Sequence, residues 1–522
     1  MVRAALFLGL AACAPARPAG QAQDLAGAPV LNRFAHIPAS CYVNALGPGG
    51  DSHNSCYVCH TQGRAPNPID DADLQLSRDL PDGARINPWL NLLGPEPEVD
   101  RARLAAFVRT DNYRDAEGEI ALAAALRSPP PGWDADGDGR WGGPVPDLGF
   151  NVDAQGWDHD ATGALTGWRA YRSAPLPGVF LPVNGGAGDL FLRLPEPFRE
   201  TAEGEPSVEV YSVNLTIALA LVRRADLALP AVDERALAYD LDGDGLLGTA
   251  TLVRYRDRAG GDALRYVGGA AEIDETAPGL LPEGAELAHS VRYLDLGPDG
   301  APRLAPRMRE LRTLRKVAWL PYAELAARGT AELAEDRDDG DAPRRISGDL
   351  ERGLSNGLGW RISGFIEDSS GALRPQTVEE TLWCVGCHGG VGATTDATFS
   401  LTRFLGWGHP EEIAPLDADP KRADGVGEYA TWIAENHALD ELRTLPVDPS
   451  IIPDEFAMLG ALVPDADRVW QLNARLEAVM RAQTYNLGRE PARAPEGALL
   501  TRVAPQEETG IGRVVSAPWI RP

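Results

Sequence analysis

Two short runs of the sequence share a pattern of cysteine and histidine that could support redox chemistry. They are Cys56–His60 and Cys384–His388, each with two cysteines separated by two residues and a histidine directly after the second. Two thiols at this spacing can form thioether bonds with one porphyrin, and the histidine is then placed to ligate the iron. Each run therefore predicts one covalently attached haem. The predicted haem-binding residues are Cys56, Cys59, His60, Cys384, Cys387 and His388, with His60 and His388 as proximal iron ligands.

Two other kinds of site use similar cysteine pairs. A zinc centre would require both runs to meet and supply four ligands, and an adjacent cysteine and histidine fit one tetrahedral centre poorly. A thioredoxin-like dithiol needs no histidine after its second cysteine. The form of the two runs favours haem over both alternatives.

A second axial ligand is also expected for a six-coordinate haem iron, and histidine or methionine can supply it. The candidate distal ligands are His289, His36, Met458, His409 and His437. His289 ranks first among those distant from the runs, because it lies at the entry to a predicted strand and a rigid strand positions a ligand well. His36 belongs to the segment of the first run, and the sequence leaves His409, His437 and Met458 open for the second.

Composition limits the classes of partner. The chain of 522 residues has 76 acidic and 49 basic residues and a net charge of -27. Such a surface repels nucleic acid and anionic membranes, and it would suit redox partner proteins that are basic or simply keep the chain soluble. High counts of Gly (56) and Pro (43) predict abundant loops.

The N-terminal residues predict export and lipidation. Arg3 is followed by the short apolar run Ala4–Leu10, and Leu10–Cys13 resembles the signal for lipid attachment to Cys13. The alternative is a plain secretory signal cut nearby. Ala14, in place of an aspartate, predicts an anchor in the outer membrane of a periplasmic or cell-surface protein. No apolar run of about 20 residues follows, so no spanning helix is expected.

Two Asp-rich loops predict structural calcium ions. We name residues 134–139 loop A and residues 240–245 loop B. Each has aspartates at positions 1, 3 and 5 and glycine at position 6, as in the first half of a calcium-binding loop. Neither has the glutamate expected at position 12, so Asp147 or another distant carboxylate would have to substitute. Metal-free Asp/Gly turns are the alternative. The candidate ligands are Asp134, Asp136, Asp138, Asp240, Asp242 and Asp244.

Local patterns predict several elements. Residues 208–213 alternate as a strand does, and two hairpins are expected, one over 251–267 and one over 291–304. Helices are expected at 101–108 and 116–126, and Val469 to Met480 mark the apolar face of another.

The predicted fold class is α+β, with helical haem segments at both ends and a middle rich in strands and loops. The predicted segments are a signal peptide at 1–12, a tether at 13–30, a first haem segment at 31–131, the middle region at 132–345, a second haem segment at 346–500 and an irregular tail at 501–522.

The two runs resemble those of c-type cytochromes. The surrounding stretches Trp168–Leu194, His289–Tyr293 and Glu379–His388 are similar to large bacterial di-haem cytochrome c-like lipoproteins of unknown function. The resemblance is specific only at the two runs. It implies two covalently bound haem groups, but it does not by itself imply an enzyme, and it identifies no catalytic residue.

The sequence thus predicts an exported di-haem c-type cytochrome that transfers electrons at the periplasmic or outer-membrane surface. One alternative is a di-haem oxidoreductase, similar to a peroxidase or an oxidase, in which one haem has an open face. Another is a calcium-stabilised binding protein in which haem serves sensing. An open iron binds added carbon monoxide or cyanide, whereas two saturated irons do not.

Overall fold

The described part of the chain consists mainly of residues 98–172, 190–256, 263–339, 346–378 and 466–483. The computed structural model also describes residues 23–24, 45–46, 52–53, 380–381, 384, 395–398, 406–407, 485, 502–503 and 520–521. The fold below refers to these residues.

A sheet of 11 strands organises the structure. Seventeen strands are numbered in chain order, and six of them are only two residues long. They are β1 Gln23–Asp24, β2 Ala45–Leu46, β3 Ser52–His53, β4 Trp157–His159, β5 Leu165–Arg172, β6 Phe191–Arg193, β7 Leu227–Asp233, β8 Thr249–Val253, β9 Glu286–Leu296, β10 Pro302–Lys316, β11 Ile346–Asp349, β12 Gly353–Ser355, β13 Trp360–Glu367, β14 Leu373–Pro375, β15 Gly406–Trp407, β16 Arg502–Val503 and β17 Ile520–Arg521. The sheet order is β15-β5-β6-β9-β10-β13-β12-β11-β17, with β4 beside β5 and β14 beside β13.

Antiparallel pairing dominates this sheet, and β11 with β17 is its parallel pair. Three two-stranded ladders lie outside it: β1 with β16, β2 with β3 and β7 with β8. The helices are α1 Arg101–Val108, α2 Ala121–Leu126, α3 Val208–Arg223, α4 Glu234–Leu237, α5 Tyr322–Asp339 and α6 Ala466–Ala482. Short 3-10 turns occur at Glu196–Arg199, Gly268–Ala270 and Thr395–Ala397.

The β9–β10 hairpin is the centre of the sheet. Gly300 adopts φ 82 in the connecting turn, a backbone conformation that glycine tolerates without a Cβ clash. Pairing runs from Pro302 opposite Leu296 to Arg315 opposite Glu286, with register shifts on either side of Met308. The hairpin predicted over 291–304 is confirmed, and its second strand continues to Lys316.

Side-chain alternation on β10 separates two apolar cores. Leu314 belongs to the main cluster, which also contains α3, β7 and β8. Leu311 points to the opposite face and packs with Trp168 and Phe365 in a second cluster. Because successive strand residues point to opposite faces, one long strand supports both cores.

The strand predicted at 208–213 is wrong, because these residues begin helix α3. Ser207 caps the helix by accepting a hydrogen bond of 3.2 Å from the Val210 amide. The apolar run continues through Val222, and nearly every residue from Val210 onward is buried. A buried helix is apolar on most sides and shows no clear helical period. The polarity of its first six residues alternates as it does in a strand, which explains the wrong prediction.

The hairpin predicted over 251–267 is also wrong. Strand β8 ends at Val253 and pairs with β7, and residues 263–267 form no strand. The Val267 amide instead donates to the buried Asn214 side chain at 2.8 Å. The partner of β8 therefore comes from earlier in the chain, which a local pattern cannot reveal.

Helices α1 and α6 pack against the end of β9 and β10. Val469, Leu472 and Leu476 of α6 lie in one cluster with Leu104 of α1, which confirms both predicted helices. Asn473 fixes the docking by accepting from the Leu294 amide at 3.1 Å and donating to the Leu294 carbonyl at 2.7 Å. The helix predicted at 116–126 is shorter and begins at Ala121.

The predicted α+β fold class, with helical segments at both ends, is wrong. The described residues form a large antiparallel sheet with few helices, and those helices do not mark two terminal domains. The sheet dominates because β9, β10 and β13 are long and their side chains are buried on both faces. Segments that are distant in the sequence therefore pack against these strands. None of the helices in the described ranges is long and apolar enough to cross a membrane.

Candidate metal loops and the predicted haem positions

Cys384 is the predicted haem-binding residue that the structure describes. It is buried and belongs to the main apolar cluster, which also contains Trp360 and Ala397. The other predicted attachment residues and proximal ligands lie outside the described residues: Cys56, Cys59, His60, Cys387 and His388.

Among the candidate distal ligands, His289 is described together with its surroundings. It lies on β9, is 8% exposed and stands opposite Arg312 on β10. The candidates His36, His409, His437 and Met458 lie outside the described residues, as does the predicted lipidation site Cys13. His289 therefore lies near the beginning of a strand, as the sequence predicted, and the structure places that strand in the middle of the sheet.

A buried ion pair lies beside the main apolar cluster, where Lys316 Nζ is 5.4 Å from the centroid of the Trp360 ring. The Lys316 Nζ is 2.6 Å from Asp396 Oδ2, and both side chains are almost fully buried. The Leu281 amide donates to the same oxygen at 2.9 Å. Burial raises the pKa of Asp396, and the attraction of Lys316 opposes that rise. Lys316 and Lys421 are the only two lysines of the sequence, so one of them is used to balance a buried charge.

Loop A is held by its first aspartate. Asp134 accepts from the amides of Gly137 at 2.7 Å and Gly139 at 2.8 Å, one with each carboxylate oxygen. The Asp138 amide donates to Asp136 at 3.3 Å. The aspartates at positions 3 and 5 follow this turn, so the three carboxylates face a common region.

Loop B repeats the arrangement. Asp240 accepts from Gly243 at 2.6 Å and from Gly245 at 3.0 Å, and the Asp244 amide donates to Asp242 at 3.1 Å. Both loops place glycine with positive φ at positions 4 and 6. These are Gly137 (φ 77), Gly139 (φ 79), Gly243 (φ 70) and Gly245 (φ 85). The sequence similarity of the two loops is therefore a similarity of backbone structure.

A buried glutamate from outside each loop accepts hydrogen bonds from two equivalent amides, one at position 2 of the loop and one at position 9, three residues beyond the end of the loop. In loop A, Glu351 accepts from the amide of Ala135 at position 2 and from Gly142 at position 9, the latter at 2.7 Å. In loop B, Glu234 accepts from Leu241 at 2.6 Å and from Gly248 at 2.8 Å, again positions 2 and 9. Each glutamate is 1% exposed. Neither glutamate was predicted from the sequence, because Glu351 lies more than 200 positions from its loop and Glu234 precedes the start of the calcium-loop pattern.

Three carboxylates come together at each loop. Oxygens of Asp134, Asp136 and Asp138 lie within 4.8 Å of one another, and so do oxygens of Glu234, Asp240 and Asp242. Hard cations such as calcium prefer oxygen ligands of this kind. The donor sets therefore fit a calcium ion, and the cluster at loop B contains Glu234 in place of the predicted Asp244.

The charges around the two loops differ. Arg352 forms an ion pair of 2.5 Å with Asp136 in loop A. In loop B, desolvation and repulsion by Glu234, Asp244 and Asp240 raise the pKa of Asp242. Asp147, suggested as a distant ligand for loop A, instead accepts from Trp168 Nε1 at 2.7 Å and pairs with Arg193 at 2.5 Å. That suggestion is wrong, because Asp147 is occupied elsewhere.

Comparison with known proteins identifies a family. The model of a lipoprotein family matches residues 27–414, which is most of the chain. An uncharacterized lipoprotein of Aquifex aeolicus (strain VF5) is 33% identical over 395 residues. The match covers 71% of this chain and 62% of that relative, so the chain spans less than two thirds of the relative's length. No solved structure matches the chain significantly.

The chain therefore belongs to this lipoprotein family. A lipoprotein is held to a membrane by its lipid anchor, which places the protein at the cell envelope. The lipoprotein character and the membrane anchor expected from the sequence are thus supported by the family and by the name of the relative.

The family assignment to c-type cytochromes, which was predicted from the two runs, is wrong. Neither the family description nor the name of the relative mentions a cytochrome or haem. A five-residue pattern is local and short, whereas the family match extends over residues 27–414 and decides membership.

Proposed function

We propose that this lipoprotein transfers electrons at the cell envelope through haem covalently attached at its two cysteine–histidine runs. The observation that carries the proposal is the pair of runs Cys56–His60 and Cys384–His388, which together hold four of the six cysteines. The proposal rests on these residues and their chemistry, not on the family.

The roles of the residues follow from their chemistry. The cysteines of each run would hold a porphyrin through thioether bonds, and His60 and His388 would each ligate an iron. Haem bound in this way would supply one-electron oxidation and reduction. The burial of Cys384 among apolar side chains supports this role, because an apolar shell limits the access of water to a redox centre.

His289 is our proposed distal ligand for one of the two irons. A buried histidine on the longest hairpin of the sheet has a fixed backbone, and a ligand held in this way needs little ordering when it binds. The distal ligand of the other iron would be one of the remaining candidates, His36, His409, His437 and Met458.

The location and the partners extend the same proposal. Lipid attachment at Cys13 and a neighbouring alanine, in place of aspartate, support an anchor in the outer membrane. The net charge of -27 supports docking of basic redox proteins. Calcium in loops A and B would then stabilise the fold, because it neutralises clustered carboxylates that otherwise repel one another.

The test uses protein matured in a periplasm that contains haem-attachment machinery. Replacing both cysteines of one run, as Cys384→Ser with Cys387→Ser, is expected to halve the haem absorbance per polypeptide. Cys41→Ser is the matched control, because Cys41 lies outside both runs and should leave the absorbance unchanged. Equal absorbance in all three proteins would refute attachment at the second run.

Carbon monoxide then separates an electron carrier from an oxidoreductase. If the protein is an electron carrier with two six-coordinate irons, adding carbon monoxide to the reduced protein should change its visible spectrum little. His289→Ala should open one iron and create carbon monoxide binding. A large change in the unmodified protein would favour the peroxidase-like or oxidase-like alternative.

A further inference from the structure

A cavity of about 330 Å³ lies on the face of the sheet that carries the second apolar cluster. The segment Gly142–Leu148, which follows loop A, forms one side, and strands β5, β6, β9, β10 and β13 form the other. This volume is at the lower end of the range for sites that hold small organic molecules.

The floor of the cavity is built from three facing pairs on β10 and β13. Leu311 stands opposite Phe365, Thr313 opposite Ser363, and Arg315 opposite Arg361. All six residues line the cavity. Along the strands, the floor therefore changes from an apolar pair through a hydroxyl pair to a cationic pair.

The arginine pair is unusual for its position. Like charges directly opposite each other on neighbouring strands destabilise a sheet, and this chain is strongly acidic overall. The Arg361 side chain donates to the Gly353 carbonyl at 3.2 Å. Within the described ranges, no carboxylate forms an ion pair with Arg315 or Arg361, although Glu286 stands opposite Arg315 on β9.

The carboxylates that line the cavity are engaged by another arginine. Arg193 lies 2.5 Å from Asp147 and 2.6 Å from Glu286. Its guanidinium also stacks over the Trp168 ring, 4.2 Å from the ring centroid. The charged residues that line the cavity are four arginines, namely Arg193, Arg315, Arg352 and Arg361, and two carboxylates, so the lining keeps a net positive charge.

The combination of these features defines the chemistry of a ligand. Two guanidinium groups and two hydroxyls can donate hydrogen bonds to a carboxylate or phosphate, which arginine recognises with a planar fork. The buried Leu311, Phe365 and Trp168 offer an apolar surface beside the cations. We propose that this cavity binds a small organic anion, whose carboxylate or phosphate group contacts Arg315 and Arg361 and whose apolar part lies on the second cluster.

Titration calorimetry on the purified full chain tests the site. The probes are benzoate and phenyl phosphate, with benzamide as the neutral analogue, in a Tris buffer of low ionic strength. We expect at least one of the two anions to bind with one-to-one stoichiometry and benzamide to bind at least tenfold more weakly. The stronger of the two anions identifies the headgroup.

Substitutions locate the binding. Arg315→Gln and Arg361→Gln should each weaken binding at least tenfold, because each removes a charge-assisted contact. Arg127→Gln removes the same charge from an exposed residue outside the cavity and should change the affinity less than twofold. Ser363→Ala alters the floor without changing the charge and should weaken binding at least threefold.

The melting temperatures of the variants without ligand provide an independent readout. Because the facing arginines repel each other, Arg315→Gln and Arg361→Gln should melt at or above the temperature of the unmodified protein. The proposal is overturned if neither anion binds at millimolar concentration, if benzamide binds as tightly, or if the Arg127 variant loses as much affinity as the cavity variants.

Discussion

At the residue scale, Glu367 illustrates how its surroundings set the charge of one side chain. It is buried on β13, where it accepts from Arg307 at 2.7 Å and from the Tyr293 hydroxyl at 2.6 Å. Desolvation raises its pKa from 4.5 to about 7, and Arg307 opposes that rise. At mildly acidic pH the folded protein therefore holds this carboxyl in its neutral form.

This predicts a pH dependence of stability. Between pH 4.5 and about 7 the folded protein binds more protons at Glu367 than the unfolded chain does. The contribution to stability is therefore fully present below pH 4.5 and is lost as the pH rises towards 7. A difference of about 2.5 pKa units corresponds to about 3 kcal/mol.

Glu367→Gln should remove this contribution, because glutamine is neutral at every pH and keeps one oxygen acceptor. Urea unfolding at pH 4.5, 6 and 7.5 measures the effect, and the exposed Glu272→Gln serves as the control. Parallel pH profiles for the unmodified protein and the Glu367 variant would contradict the assignment.

The two Asp-rich loops also show which ligands a sequence can reveal. The aspartates at positions 1, 3 and 5 were predicted because their spacing is local. The buried glutamates were not, because Glu234 precedes its loop and Glu351 comes from the turn between β11 and β12. Carboxylates supplied by the tertiary fold leave no mark near the loop.

Calcium should stabilise the protein through these loops. A calcium concentration of about one hundred times the dissociation constant would add about 2.7 kcal/mol per site to the free energy of unfolding. The melting temperature would rise accordingly. Asp134→Asn and Asp240→Asn should each reduce the calcium-dependent rise.

Asp160→Asn is the matched control for this experiment. Asp160 holds a similar turn by accepting from the Thr162 and Ala164 amides at 2.8 and 2.9 Å, but it belongs to neither acidic cluster. A melting temperature that calcium and a chelator leave unchanged would show that both loops are metal-free turns.

At the scale of elements, the docking of α6 depends on one polar side chain. Asn473 is fully buried and satisfies both the amide and the carbonyl of Leu294, next to the apolar contacts of Leu472 and Leu476. A buried backbone group without a partner costs about 1–3 kcal/mol.

Asn473→Ala should therefore destabilise the fold by about 2–4 kcal/mol, since two groups of β9 lose their partner. Gln471→Ala, on the exposed side of the same helix, should change stability by less than about 0.5 kcal/mol. Denaturant unfolding measures both. A small and equal effect of the two substitutions would show that the apolar face alone docks the helix.

The elements also explain where sequence interpretation succeeded. The β9–β10 hairpin could be predicted because Gly297–Gly300 and the strands beside it are contiguous. Helix α3 was misinterpreted because its first turns alternate in polarity, while its identity depends on the Ser207 cap and on burial from many sides. Local patterns specify turns and long amphipathic helices better than they specify helices inside a core.

At the scale of the whole molecule, the order of the strands depends on contacts between distant residues. Strand β6 pairs with β9 across more than 90 positions of the chain, and β10 pairs with β13 across about 50. No local pattern specifies these pairs, and the predicted three-segment α+β arrangement was therefore wrong. The same pairing brings Arg315 and Arg361 together, which no local pattern predicts.

The family adds the cellular setting but no chemistry. Membership in a lipoprotein family places the protein at a membrane of the envelope. The redox proposal depends on the two cysteine–histidine runs, which are present in the sequence whatever the family description says. Its test must therefore detect the bound group itself.

The intact mass of the mature protein, measured together with its visible spectrum, tests the central proposal most directly. Protein matured with haem-attachment machinery should exceed the mass of the lipidated polypeptide by two haem groups and should show a reducible haem spectrum. A colourless protein whose mass equals that of the lipidated polypeptide alone would contradict haem attachment and the electron transfer built upon it.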